Sequence, residues 1–129
     1  PLRKYGMWVG TAFQIHDDIL GLFGDSKKTG KAVGNDVREG KKTLLIQRAY
    51  KNAAEEDKAF LKKVLGSNLT PQDLKRVQNI VQKTGSLEYS KTRAAECVRK
   101  GIAALGTLPT SRQKSLLIEL AWFVITREK

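Results

Sequence analysis

Two adjacent carboxylates, Asp17 and Asp18, stand in a stretch that is otherwise apolar, flanked by Phe13, Ile15, Ile19, Leu20, Leu22 and Phe23. On a helix, Gln14, Asp17, Asp18 and Gly21 fall at i, i+3, i+4 and i+7 and share a face. Burying isolated carboxylates costs several kcal/mol or more, and two neighbours also repel, so a cation should sit against them. The residues just downstream offer Lys31, Arg38 and Lys41 together with further acids at Asp25, Asp36 and Glu39. Hard oxygen ligands suit Mg²⁺, which is held by one or two carboxylates plus water and phosphate oxygens. Lysines would then neutralise the phosphate oxygens the metal does not reach. Carboxylates, Mg²⁺, diphosphate and lysines together form a charge-balanced site.

The elements that must position these groups read as helices. Residues Leu2 to Phe23 form one helix with apolar positions on several faces and no internal proline, which predicts a place deep in a bundle. Gly24 ends it, and residues 24–35, with three glycines and no periodicity, read as a loop. A second helix is expected to start between Asp36 and Lys42 and run to Leu65, with Gly66 as its stop. Thr70 and Pro71 offer a cap and first position for a third, which ends near Thr84 before Gly85. A fourth runs from about Leu87 to Leu105, with Ser86 as its cap, and a fifth begins near Pro109 or Ser111. No alternating strand pattern, internal repeat or domain boundary is visible, so the class is all-α in a single domain over residues 1–129.

With 24 Lys and Arg against 13 Asp and Glu, the net charge of +11 suits a polyanionic partner without choosing among nucleic acid, a membrane surface and phosphorylated substrates. Lys62-Lys63, Lys75-Arg76, Lys91, Arg93 and Arg99-Lys100 are spread over several helices without interleaved aromatics, which argues for a solvated surface and against a nucleic-acid groove. No apolar run reaches the roughly 18 to 20 residues of a membrane span, and no signal-peptide pattern opens the chain. A soluble, cytoplasmic protein is expected. The single cysteine, Cys97, beside Ala94, Ala95 and Val98, reads as a small packing residue.

The run Phe13-Gln14-Ile15-His16-Asp17-Asp18-Ile19-Leu20-Gly21-Leu22-Phe23-Gly24-Asp25, then Thr29-Gly30-Lys31, then Gly34-Asn35-Asp36-Val37-Arg38-Glu39-Gly40-Lys41-Lys42-Thr43-Leu44-Leu45, resembles the second aspartate-rich region of trans-prenyl diphosphate synthases, nearest to the geranylgeranyl diphosphate synthase branch. The strong resemblance covers residues 13–45, and the closing helices match more loosely. It implies the C-terminal half of the helical isoprenoid synthase fold. It also implies a Mg²⁺-dependent condensation of an allylic diphosphate with isopentenyl diphosphate. On this resemblance Asp17 and Asp18 bind Mg²⁺, Gln14 supports that site and the substrate diphosphate, and Lys31 and Lys41 contact the allylic diphosphate.

Two departures from the family pattern carry consequences. Gly21 occupies the place of the third aspartate of DDxxD, so that ligand is missing or its work falls to Asp25 or water. The first aspartate-rich motif and the isopentenyl diphosphate residues are expected upstream of Pro1, so the chain alone should not catalyse condensation. A partner is implied: the N-terminal half of the synthase, in the same chain or as a separate subunit, within an oligomer. The alternative is a non-catalytic regulatory subunit of a complete synthase. His16, about 100° around the helix from Asp17, reads as a packing or surface residue; Trp8, Trp122 and Phe123 read as core; and Arg127 is a candidate to close over bound diphosphate.

Overall fold

The computed structural model describes residues 1–29 and 32–128. Its described residues form eight helical segments and no strand: α1 (Leu2–Phe23), α2 (Ser26–Thr29), α3 (Asn35–Arg38), α4 (Leu44–Asn52), α5 (Glu55–Val64), α6 (Pro71–Lys83), α7 (Ser86–Ala104) and α8 (Arg112–Thr126). They divide into two compact units, Pro1–His16 with Lys91–Arg127, and Asp17–Ser90 with Glu128. The two long helices α1 and α7 each contribute to both.

In the first unit, Tyr5, Val9, Ala12 and Ile15 recur at helical spacing on α1 and are buried with Ala94, Cys97, Val98 and Leu105 of the α7 segment and Ala121 and Val124 of α8. A side chain at Gly101 would come within 2.9 Å of Val9 Cγ2, so the glycine is what lets α7 approach α1 so closely. The Tyr5 hydroxyl donates to the Leu117 carbonyl at 2.6 Å and ties α1 to α8. Cys97 is fully buried, and burial pushes its thiol above the ordinary range, in keeping with a packing role.

The rest of this unit departs from the expected burial. Leu2, Met7 and Phe13 of α1 and Leu116, Leu120 and Phe123 of α8 are exposed, and nothing stands within 4 Å of a side chain built at Gly6 or Gly10. Helix α1 therefore buries one stripe and leaves Leu2, Met7 and Phe13 exposed, in place of the deep position expected. Trp122 and Phe123 are also outside the core, and Trp8 is half-buried with the Lys100 ammonium 4.6 Å from its ring centre.

The second unit packs Ile19, Leu22, Val37, Leu45, Ile46, Ala49, Leu61, Val64, Val77, Ile80 and Val81. The Thr70 side chain accepts from the Asp73 backbone N–H while the Asp73 carboxylate accepts from that of Thr70, a reciprocal cap with Pro71 in the first turn. Gln78 donates to the Leu22 carbonyl at 2.7 Å, satisfying one of the open carbonyls at the end of α1. Buried Ser86 donates to the Leu45 carbonyl. The expected second helix is three: α3 is a single turn, and extended Ala53 and Ala54 separate α4 from α5. Glu55, Glu56 and Asp57 restart the helix, since acids favour the positive end of the helix dipole.

Candidate functional site

The two aspartates lie in the fifth turn of a continuous helix, and both are half-buried. Asp18, Gly21 and Leu22 of α1 and Gly34, Asp36 and Thr43 of the following segment line one narrow crevice of about 10 Å³, about enough for a single water. What folds the segment back is backbone. The Gly34 N–H donates to the Gly21 carbonyl at 2.7 Å, and Gly34 takes a φ of +84°, where a side chain would also strike Leu74 Cδ1 at 2.8 Å. Gly40 and Gly66, both at positive φ, pass close enough that a Cβ on Gly40 would lie 3.5 Å from Gly66 Cα, and the Gly66 N–H donates to the Val37 carbonyl at 2.8 Å.

Asp36 meets α1 at the glycine. Its Oδ2 lies 3.0 Å from where a Cβ of Gly21 would stand. The absent third side chain of the motif therefore leaves room for a carboxylate that arrives from α3. The other carboxylate considered for that place, Asp25, is exposed and accepts from the Lys27 backbone N–H at 2.9 Å, opening the turn of α2. Asp36 Oδ1 is 3.4 Å from Lys41 Nζ, and Glu39 Oε2 is 3.5 Å from the same nitrogen. Asp36 first and Glu39 after it push the Lys41 ammonium above its ordinary pKa, so it stays charged.

Of the residues singled out by sequence, Asp17 and Asp18 sit together on α1, and Lys41 reaches the same helix face through Asp36. Gln14 is exposed, one turn earlier on α1 and in the first unit. Lys31 lies outside the described residues. His16 is half-buried, and its Nε2–H donates to the Arg127 carbonyl at 2.7 Å, consistent with a packing role. The Arg127 guanidinium stacks 4.2 Å from the centre of the Phe13 ring and donates to the Val124 and Phe13 carbonyls, so it is engaged in closing α8 against α1. Asp36 is the residue the spacing did not single out for this place; the only sequence signal was a glycine where an acid was expected.

The all-helical scaffold thus carries Asp17 and Asp18 on α1 and brings Asp36, paired with Lys41, beside Gly21 of the same helix. The scaffold overlays the geranylgeranyl pyrophosphate synthetase of Pyrococcus horikoshii Ot3 with a TM-score of 0.89 at 40% identity, covering 97% of this chain and 38% of that one. It overlays a geranylgeranyl pyrophosphate synthase of Corynebacterium glutamicum, complexed with isoprenyl diphosphate and magnesium, with a TM-score of 0.90 at 32% identity over 96% and 36% of the two chains. The geranylfarnesyl diphosphate synthase of Aeropyrum pernix is 40% identical over 130 residues, 99% of this chain and 40% of that protein. The polyprenyl synthetase family model matches residues 1–84. The chain belongs to the polyprenyl synthetase family and has its helical fold. It spans about two-fifths of the length of these relatives.

Proposed function

We propose that the chain is the C-terminal portion of a trans-prenyl diphosphate synthase of geranylgeranyl type, and that the α1 carboxylates hold Mg²⁺ on the diphosphate of the allylic substrate. The observation that carries this is the shared crevice of Asp18, Gly21 and Asp36, with Lys41 bound to Asp36. The donor set suits the ion. Among the described residues no group of three or more His, Cys, Asp or Glu is placed to hold a metal ion, and Mg²⁺ is ordinarily held by one or two carboxylates with water and phosphate oxygens completing the shell.

When bound, Mg²⁺ would supply charge neutralisation to the departing diphosphate. Asp17 and Asp18 would hold it from α1, with Asp36 beside the place of the absent third aspartate. Lys41 and Lys31 would meet phosphate oxygens, and Gln14 would support the diphosphate by hydrogen bonding. In the reaction the allylic C–O bond breaks with its electron pair leaving on the diphosphate, the isopentenyl double bond attacks the resulting carbocation, and a proton is then lost. The part these residues play is electrostatic stabilisation of the leaving group.

The exposed large apolar side chains Leu2, Met7 and Phe13 of α1 and Leu116, Leu120 and Phe123 of α8 support a missing partner. We assign it to the N-terminal portion of the synthase, in an oligomer that works in the cytoplasm. Alone, the chain is inactive in condensation. The test is calorimetric titration of geranylgeranyl diphosphate with and without Mg²⁺ into wild type and Asp18→Asn. Magnesium-dependent binding that the variant lacks supports the reading; equal binding by both overturns the assignment of Asp18.

A further inference from the structure

A second cavity, of about 310 Å³, opens between α4 and α5 and is lined by Lys42, Ile46, Gln47, Tyr50, Lys62 and Leu65. None of these residues belongs to the Asp18 crevice except Ile46, whose buried side chain lies between the two. The volume falls at the lower end of the range of small-ligand pockets. Ile46, Leu65 and Tyr50 give it an apolar lining, and two exposed lysines from different elements line it as well. No carboxylate lines it, and neither lysine forms an ion pair with a described residue. Lys58, whose ammonium stands 5.9 Å from the Tyr50 ring centre, pairs with Glu55 at 3.8 Å. Gln47 donates to the Lys42 carbonyl at 2.6 Å and so holds the strand of chain that carries Lys42 against α4.

Two lysines that form no ion pair with a described residue, in an otherwise largely apolar lining, suit a dianion with a short hydrocarbon body. A carboxylate would neutralise only one of them, whereas a phosphate monoester carries roughly −1.5 to −2 charges at neutral pH. We propose that this cavity binds a short aliphatic phosphate monoester, with the phosphate between Lys42 and Lys62 and the chain against Ile46, Tyr50 and Leu65. This site is independent of the carboxylates of α1 and needs no divalent metal.

The experiment is a ¹⁵N-resolved NMR titration of the chain with 3-methylbutyl phosphate in the presence of a chelator, with inorganic phosphate and 3-methylbutanol as the head-only and tail-only probes. The expected result is saturable shifts confined to residues 42–50 and 62–66, with inorganic phosphate at least tenfold weaker. Lys62→Glu, an exposed change whose fold is checked by circular dichroism, should weaken binding of the ester at least tenfold, and Lys42→Glu should do the same. Asp18→Asn should leave it unchanged. Shifts centred on residues 17–21, shifts scattered over exposed lysines, equal affinity for inorganic phosphate, or indifference to both charge reversals would overturn the proposal.

Discussion

If Asp36 fills the space that a side chain at position 21 would need, then Gly21 should respond to substitution unlike any open glycine on the same helix. Gly10 supplies the reference. It is exposed with nothing within 4 Å of a built Cβ, so Gly10→Ala should gain the helix-propensity difference of about 0.8–1.0 kcal/mol. At Gly21 the same gain is opposed. The new methyl would stand 3.0 Å from Asp36 Oδ2, so the carboxylate must rotate, at a cost of about 0.5–1.5 kcal/mol if it leaves its rotamer well. The half-exposed pairing with Lys41 would add at most about 1 kcal/mol. Gly21→Ala should therefore lie between about 0.5 kcal/mol stabilising and about 1.7 kcal/mol destabilising, at least about 0.5 kcal/mol below Gly10→Ala. For a chain of this size that smallest gap is about 2 °C in Tm. Urea denaturation of both variants, repeated in an Asp36→Ala background, measures it; removing Asp36 should close the gap as a double-mutant coupling. Equal stabilisation at positions 10 and 21 in the wild-type background would refute the placement of Asp36. Gly21→Asp extends the comparison, because a second carboxylate beside Asp36 should lower Tm in a chelator and recover when Mg²⁺ is added.

The remaining predictions concern the frame around the site. Lys83, at 2.8 Å, and Arg76 hold Asp57 below the usual carboxylate range. A depressed pKa contributes stability above the unfolded value of about 4, lost as pH falls through the folded value, so Asp57→Asn should lower the urea midpoint at pH 7 by an amount that shrinks as the pH is taken below about 4. Gly34→Ala combines a φ of +84° with a contact of 2.8 Å to Leu74 Cδ1, and should cost about 1–3 kcal/mol in urea melts. Ser86 and Ser90 are both buried on α7, but only Ser86 has a partner, the Leu45 carbonyl, while the Ser90 hydroxyl has none. Ser86→Ala should destabilise by about 1–3 kcal/mol, and Ser90→Ala should be neutral or stabilising in the same assay.

What was legible in the sequence is what local chemistry decides. The end of α1 before Gly24, the Thr70-Pro71 start of α6 and the Ser111 cap of α8 follow from glycine, proline and hydroxyl side chains acting within a turn, and each is where those residues require it. The interruption at Ala53-Ala54 has no such marker. Two alanines would continue a helix by propensity, and only the acids at 55–57 signalled a new start. Burial was less legible still: Phe123 and Leu116 repeat at helical spacing as core residues do, but periodicity identifies an apolar face without saying what covers it. The site divides in the same way. The doubled aspartate is a feature of neighbouring residues and could be read directly, whereas Asp36 reaches Gly21 only because a left-handed glycine and a backbone hydrogen bond return the chain to α1. A glycine read along the chain as a lost ligand becomes, in three dimensions, the space in which another carboxylate stands. Sequence spacing alone therefore counts ligands on one helix, and the number available to a metal depends on what the following segment brings back to that helix.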